Sequence, residues 1–201
     1  TAGSQGGTGN AKYQINIGSE VSAFGFGWGT GAWNQGTWNT PRTSTSIALD
    51  ATYWSLDTFG EDLLAIRNDD ALYRWDLSGG TTTRAQKISQ APTANRFLVV
   101  SSPDRHIFLF GTETTIGNTT TQDDLFLRFS SQEDFQTWTP ASTNTAGSFR
   151  IQDGSKIVTA KRSRGSILVW TDTALHALNN IGPPFIFGLS QIGSNCGAVS
   201  A

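Results

Sequence analysis

From Ser46 onward the chain repeats one device: two short apolar runs separated by a polar turn, the sequence pattern of β-hairpins. Asp62–Ile66 and Ala71–Trp75 flank Arg67-Asn68-Asp69-Asp70. Phe97–Val100 and Ile107–Phe110 flank Ser101-Ser102-Pro103-Asp104-Arg105, where proline fixes φ and aspartate supplies local hydrogen bonding for the turn. A third unit runs through Leu125–Phe129 to a turn at Ser130–Phe135. A fourth pairs Lys156–Ala160 with Ser166–Trp170 across Lys161-Arg162-Ser163-Arg164-Gly165 and continues into Ala174–Leu178. No segment carries a sustained i, i+3, i+4, i+7 apolar stripe, and Asp172–Asn179 is too short to stand alone as a helix. The pattern predicts an all-β chain.

Hairpins recurring every few tens of residues, with aromatic closers at Trp75, Phe110, Trp138 and Trp170, predict a β-propeller-like array of hairpin blades over 46–201. A β-sandwich is the alternative; it lacks the internal repeat that successive hairpins suggest. Trp75, Trp138 and Trp170 are expected between strands.

Residues 1–45 read differently, as an extended Gly- and aromatic-rich arm. The first twenty offer only Tyr13, Ile15 and Ile17 as an alternating pattern. The next twenty place Phe24, Phe26, Trp28, Trp33 and Trp38 among five glycines, which is too Gly-rich for a helix and too aromatic for a solvated linker. Ordering those glycines costs backbone entropy, so the rings are expected to serve an interface.

Seven Trp, twelve Phe and three Tyr in a chain that is only 15% charged point to aromatic packing and assembly. A formal net charge of -2 gives no global basic field, which argues against tight, sequence-specific nucleic-acid binding. Lys156, Lys161, Arg162 and Arg164 are the basic concentration, read as one hairpin tip able to touch phosphates or an acidic partner; a plain solvated turn is the competing reading. The single cysteine, Cys196, can form no intrachain disulfide and reads as a small buried hydrophobe. No apolar run approaches the roughly 20 residues of a membrane-spanning helix, so a soluble protein is expected. A start at Thr1 with no methionine, and a stop at Ala201 just after an apolar stretch, lead us to expect a processed or partial piece of a longer protein.

Catalytic constellations are sparse. His106 and His176 have no carboxylate or cysteine at metal-ligand spacing and read as structural or exposed. The acidic pairs Asp69-Asp70, Asp123-Asp124 and Glu133-Asp134 fall where turn chemistry alone favours aspartate; Glu61-Asp62 is the exception. No phosphate-cradling glycine loop or serine nucleophile elbow is present, and neither cofactor nor metal is expected. Ser131-Gln132-Glu133-Asp134-Phe135-Gln136-Thr137-Trp138 is similar to the Asp-box hairpin of sialidases and other propellers, with Asp134 one place late and the family glycine missing. In that motif the aspartate holds a turn and the tryptophan packs in the blade. No arginine triad of the sialidase kind stands out.

Tyr53–Ala65 with Leu72–Asp76, Asp134–Pro140, Asn144–Ser148, Ile167–Leu175 and Gly182–Phe185, together with the aromatic-glycine run at 24–38, resemble tailed-bacteriophage virion proteins. The family is that of head-tail connector, tail tubular or packaged-DNA stabilisation proteins of short-tailed phages. The resemblance implies a non-enzymatic, propeller-bearing nozzle subunit in a homo-oligomeric ring, a hexamer, that closes the DNA passage and retains the genome. It also implies contacts with other tail, portal or adaptor proteins, transient non-specific contact with packaged DNA, assembly in the host cytoplasm, residence in the virion and no membrane. The alternative is a carbohydrate-binding or glycan-cleaving β-propeller, since sugars stack on aromatic faces.

Overall fold

The computed structural model describes residues 53–102 and 104–200. The aromatic-glycine run, with Phe24, Phe26, Trp28, Trp33 and Trp38 that are expected to serve an interface, lies outside them. The described chain is all-β, with twelve strands in three four-stranded antiparallel sheets.

Sheet 1 comprises β1 (Trp54–Phe59), β2 (Asp62–Arg67), β3 (Leu72–Trp75) and β4 (Gln86–Lys87). Sheet 2 comprises β5 (Phe97–Val100), β6 (Ile107–Phe110), β7 (Phe126–Phe129) and β8 (Gly147–Arg150). Sheet 3 comprises β9 (Ile157–Ser163), β10 (Ser166–Thr171), β11 (Ala174–Asn180) and β12 (Phe187–Ser194). Every sheet is a meander in which each strand pairs with the next in sequence.

The tightest hairpin shows why the sequence turns where it does. Phe59 pairs with Asp62 across Gly60-Glu61, and Gly60 sits at φ 67, a left-handed conformation that glycine adopts without a Cβ penalty. Glu61-Asp62 therefore shares the turn location of the other acidic pairs and is no exception to them.

Strand parity decides the layering. In β5 and β6 every residue is buried. Leu98, Val100, Ile107 and Leu109 join Leu64, Ile66 and Leu72 of sheet 1 in one core, with Trp138 beside them. Phe97, Val99, Phe108 and Phe110 join Ile167, Val169, Leu178 and Phe187 of sheet 3 in a second core. Sheet 2 is thus the middle layer, covered on both faces, which its continuous apolar runs reflect. Rings dominate the second core: Phe97 stacks on Phe110 at 4.8 Å between centroids, and Phe187 meets Phe108 edge-on at 4.9 Å. The first strands of successive sheets also neighbour one another, β1 against β5 and β5 against β9.

Three expectations are corrected. Only Trp138 of the three tryptophans is fully buried, 1% exposed. Trp75 and Trp170 are half-buried because alternation turns them away from the cores that Leu64, Leu72 and Val169 enter. The Leu125–Phe129 unit closes no short hairpin; residues 130–146 form a long connection before β8 pairs back on β7. Cys196 is exposed, because it follows β12 in an irregular tail instead of occupying a strand's core face.

Candidate functional site

The most connected polar site lies where the first strands of the three sheets meet. β5 is an edge strand of sheet 2, so the backbone groups of Leu98 and Val100 that face β1 lack a ladder partner. Side chains supply one. The Leu98 N–H donates to Ser55 Oγ at 3.2 Å, and the same hydroxyl donates to the Leu98 carbonyl at 3.2 Å. The Val100 N–H donates to Asp57 Oδ2 at 2.8 Å, and Arg162 Nη1 donates to the Val100 carbonyl at 3.2 Å. Arg162 Nη2 closes the circuit on Asp57 Oδ1 at 3.1 Å. One aspartate of sheet 1 and one arginine of sheet 3 therefore clasp the edge of sheet 2, across 105 residues of sequence.

That geometry redistributes the basic group. β9 extends through Lys161 and Arg162 to Ser163, so the turn is shorter than the sequence predicts and Arg162 is a strand residue held by Asp57. Lys156 precedes β9, on the order of 20 Å from the tip at about 3.3 Å per residue. Lys161 and Arg164 remain exposed near the tip, where the turn adjoins Ser101, Ser102 and Asp104 across a narrow crevice. Of the four basic residues, Arg162 is engaged by Asp57 and Lys156 stands at the other end of β9.

Two buried histidines have polar partners at Nε2. His106 is 1% exposed; its Nε2 lies 3.1 Å from Thr145 Oγ1, and its ring meets Phe187 edge-on at 4.9 Å. Burial pushes its pKa below the ordinary 6.5, against the opposing pull of Asp104. The neutral form is then the folded one: stability is full above about pH 6.5 and declines as pH falls below it, because the unfolded chain binds the proton more readily. Urea midpoints measured from pH 7.5 to 5.5 are expected to fall in the parent and to fall less in His106→Gln. His176 is also buried, with Nε2 3.5 Å from Asp153 Oδ2.

The acidic pairs are occupied by turns and ion pairs. Asp62 meets Arg74 at 2.6 Å, Asp69 and Asp124 hold Arg96 at 2.8 and 3.0 Å, Asp70 meets Arg67 at 3.2 Å, and Asp123 meets Arg150 at 2.7 Å. In the segment resembling an Asp-box, Asp134 Oδ1 accepts from the Gln136 N–H at 2.7 Å, and the Trp138 indole donates to the Phe135 carbonyl at 2.8 Å. Aspartate holding the turn and tryptophan in the core are the roles the motif implies. Among the described residues no group of three His, Cys, Asp or Glu side chains is placed to hold a metal ion, and no helix is long and apolar enough to cross a membrane.

One cleft was not anticipated. It lies on the β3–β4 side of sheet 1, has a volume of about 340 Å³, and is lined by Arg74, Arg84, Lys87, Gln90, Phe135 and Gln136 among others. Arg74 is fixed by Asp62 at 2.6 Å and Asp76 at 3.2 Å, and its guanidinium covers the Phe135 ring at 4.5 Å. Asp76 caps the one-turn 3₁₀ helix Leu77–Gly79, accepting from the Ser78 N–H at 2.9 Å and hydroxyl at 2.6 Å; the hydroxyl contact, then the amide, holds its carboxyl below the usual range. The Trp75 indole donates to the Thr83 carbonyl at 2.9 Å and pins the far wall.

Compared with family models, curated proteins and solved structures, the chain matches none.

Proposed function

We propose that this chain is a non-enzymatic structural subunit of a phage tail or head-tail connector, a nozzle-type propeller that assembles as a homo-oligomeric ring and helps retain the packaged genome. The observation that carries the reading is the stack of three four-stranded meanders with their first strands side by side, in which sheet 2 is covered on both faces. A propeller is built by this kind of repetition, each small sheet burying its faces against neighbours. Sheet 1 also turns Trp54 and Leu56 outward, 44% and 59% exposed, on strands otherwise well paired. An outward apolar face suits a ring contact with a second copy. The mild net acidity and the dispersed cations suit a passage through which DNA slides without being gripped.

The test is assembly. The parent is expected to sediment as a closed oligomer in analytical ultracentrifugation, and Leu56→Asp to shift it toward monomer with an unchanged melting temperature. A monomeric parent, or absence of the chain from purified virions by mass spectrometry, overturns the reading. Carbohydrate binding is the second reading, and its own observation is the cleft beside Phe135.

A further inference from the structure

We infer that two copies of this chain close one ring of sheets, the outer face of sheet 1 in each copy packing on the outer face of sheet 3 in the other. The inference rests on the ring reading and adds to it the two faces that meet and the number of copies. Strand register defines those faces. On sheet 1, Leu64, Ile66 and Leu72 enter the core, so Leu63, Tyr73 and Trp75 turn to the opposite face, where β1 adds Trp54 and Leu56, 44% and 59% exposed. On sheet 3, Ile167 and Val169 enter the second core, so Leu168 and Trp170 turn outward, with Leu175 paired opposite Trp170. Among the described residues no further sheet covers either face.

The chain itself shows how such faces mate. Sheet 2 gives one face to sheet 1 and the opposite face to sheet 3. β1 and β5 run in the same direction, since Ser55 and Asp57 meet Leu98 and Val100 in the same order. Repeating that rule sets the open face of sheet 3 on the open face of sheet 1 in a second copy, and sets neither face on itself. Charge agrees with this arrangement. Lys161 lies on β9, the first strand of sheet 3, and Lys87 on β4, the last strand of sheet 1, so stacking first strand on first strand keeps the two lysines apart. Lys87 then meets β12, whose sequence Phe187–Ser194 holds no charge. Copy number follows from blade number: each chain supplies three sheets, so a closed pair holds six, within the roughly four to eight blades typical of propellers, and a third copy would exceed that range. Area favours closure through both faces. At about 3.3 Å per residue and 4.8 Å between strands, the two open faces of one copy present on the order of 700 Å² together. That is near the roughly 800 Å² each partner gives to a standard stable interface, and one face alone falls well short of it.

Analytical ultracentrifugation of the full chain, of Leu56→Asp and of Leu168→Asp decides it. The parent is expected to sediment as a dimer. Each variant is expected to raise the dissociation constant at least about a hundredfold, because it buries an unpaired carboxylate at both junctions. Leu168 stands in a central strand, so Ser190→Lys, at an exposed position on the same face, repeats the test where Leu168→Asp lowers the melting temperature. A contact of sheet 1 with its own copy would respond to Leu56→Asp alone, and a contact of sheet 3 with its own copy to Leu168→Asp and Ser190→Lys alone. Either pattern, or a parent of more than two copies, overturns the inference and leaves the ring reading standing. A monomeric parent overturns both.

Discussion

Replacing Trp138 by alanine is expected to lower the unfolding free energy by about 3–5 kcal/mol, the range for removing a fully buried large side chain. The residue is 1% exposed and stands in the core between sheets 1 and 2, with Leu64, Ile66 and Leu109 in the same cluster. Two polar consequences add to the cavity. The Phe135 carbonyl loses the indole donor, and the long connection through residues 130–146 loses its anchor, although that connection delivers β8 to the sheet. Arg128 is also involved: it is 6% exposed, with Nη1 donating to the Trp138 carbonyl at 3.2 Å and Nη2 to the Thr114 carbonyl at 2.9 Å. Burial pulls its pKa down, against the pull of Glu113, so movement of the backbone at 138 leaves a poorly solvated cation with fewer acceptors. Urea unfolding measures the loss. Trp75→Ala and Trp170→Ala, at half-buried positions, are expected to cost about 1–2 kcal/mol, in keeping with their smaller burial. A Trp138→Ala loss no greater than theirs would mean that the connection is not held by its tryptophan.

The hairpins β2–β3, β5–β6 and β9–β10 are legible in the sequence because each joins apolar runs across a turn with Asn, Asp, Pro or Gly. The edge strands β4 and β8 are not. β4 is two residues long, and β8 reads Gly-Ser-Phe-Arg, so neither carries enough alternation to be distinguished from a loop; tertiary pairing alone makes them strands. The misplaced tryptophans were within reach of period-2 reasoning: Leu64 and Leu72 enter the core, and Trp75, three residues after Leu72, falls on the opposite face. The Asp57–Arg162 clasp had no local signal, because its two residues approach only once three sheets are stacked. The cleft was hidden for another reason. Arg84, Lys87 and Gln90 make a polar turn like any solvated one until Phe135 and Gln136 arrive from sheet 2's long connection to form the opposite wall.

Asp57→Ala is expected to cost about 2–3 kcal/mol, and Arg162→Ala distinctly less. The asymmetry follows from what each removal leaves behind. Asp57 is 11% exposed and accepts from the Val100 N–H, whose residue is 3% exposed; without the carboxylate that donor is left buried and unpaired, at a penalty of about 1–3 kcal/mol. Arg162 is 45% exposed, so water screens its ion pair, which by itself is worth no more than about 1 kcal/mol. A double-mutant cycle between the two positions should therefore give a coupling of only about 0.5–1 kcal/mol, with most of the Asp57 effect persisting in the Arg162→Ala background. Asp57→Asn, which keeps an acceptor for Val100 while discarding the charge, should fall between parent and alanine. Amide hydrogen exchange reads the same site directly. The Val100 amide is expected to exchange faster in Asp57→Ala and at nearly the parent rate in Arg162→Ala, because only the aspartate accepts its proton. Equal protection of Val100 in both variants would mean that packing of sheets 1 and 3 against sheet 2, and not the carboxylate, guards the free edge of β5.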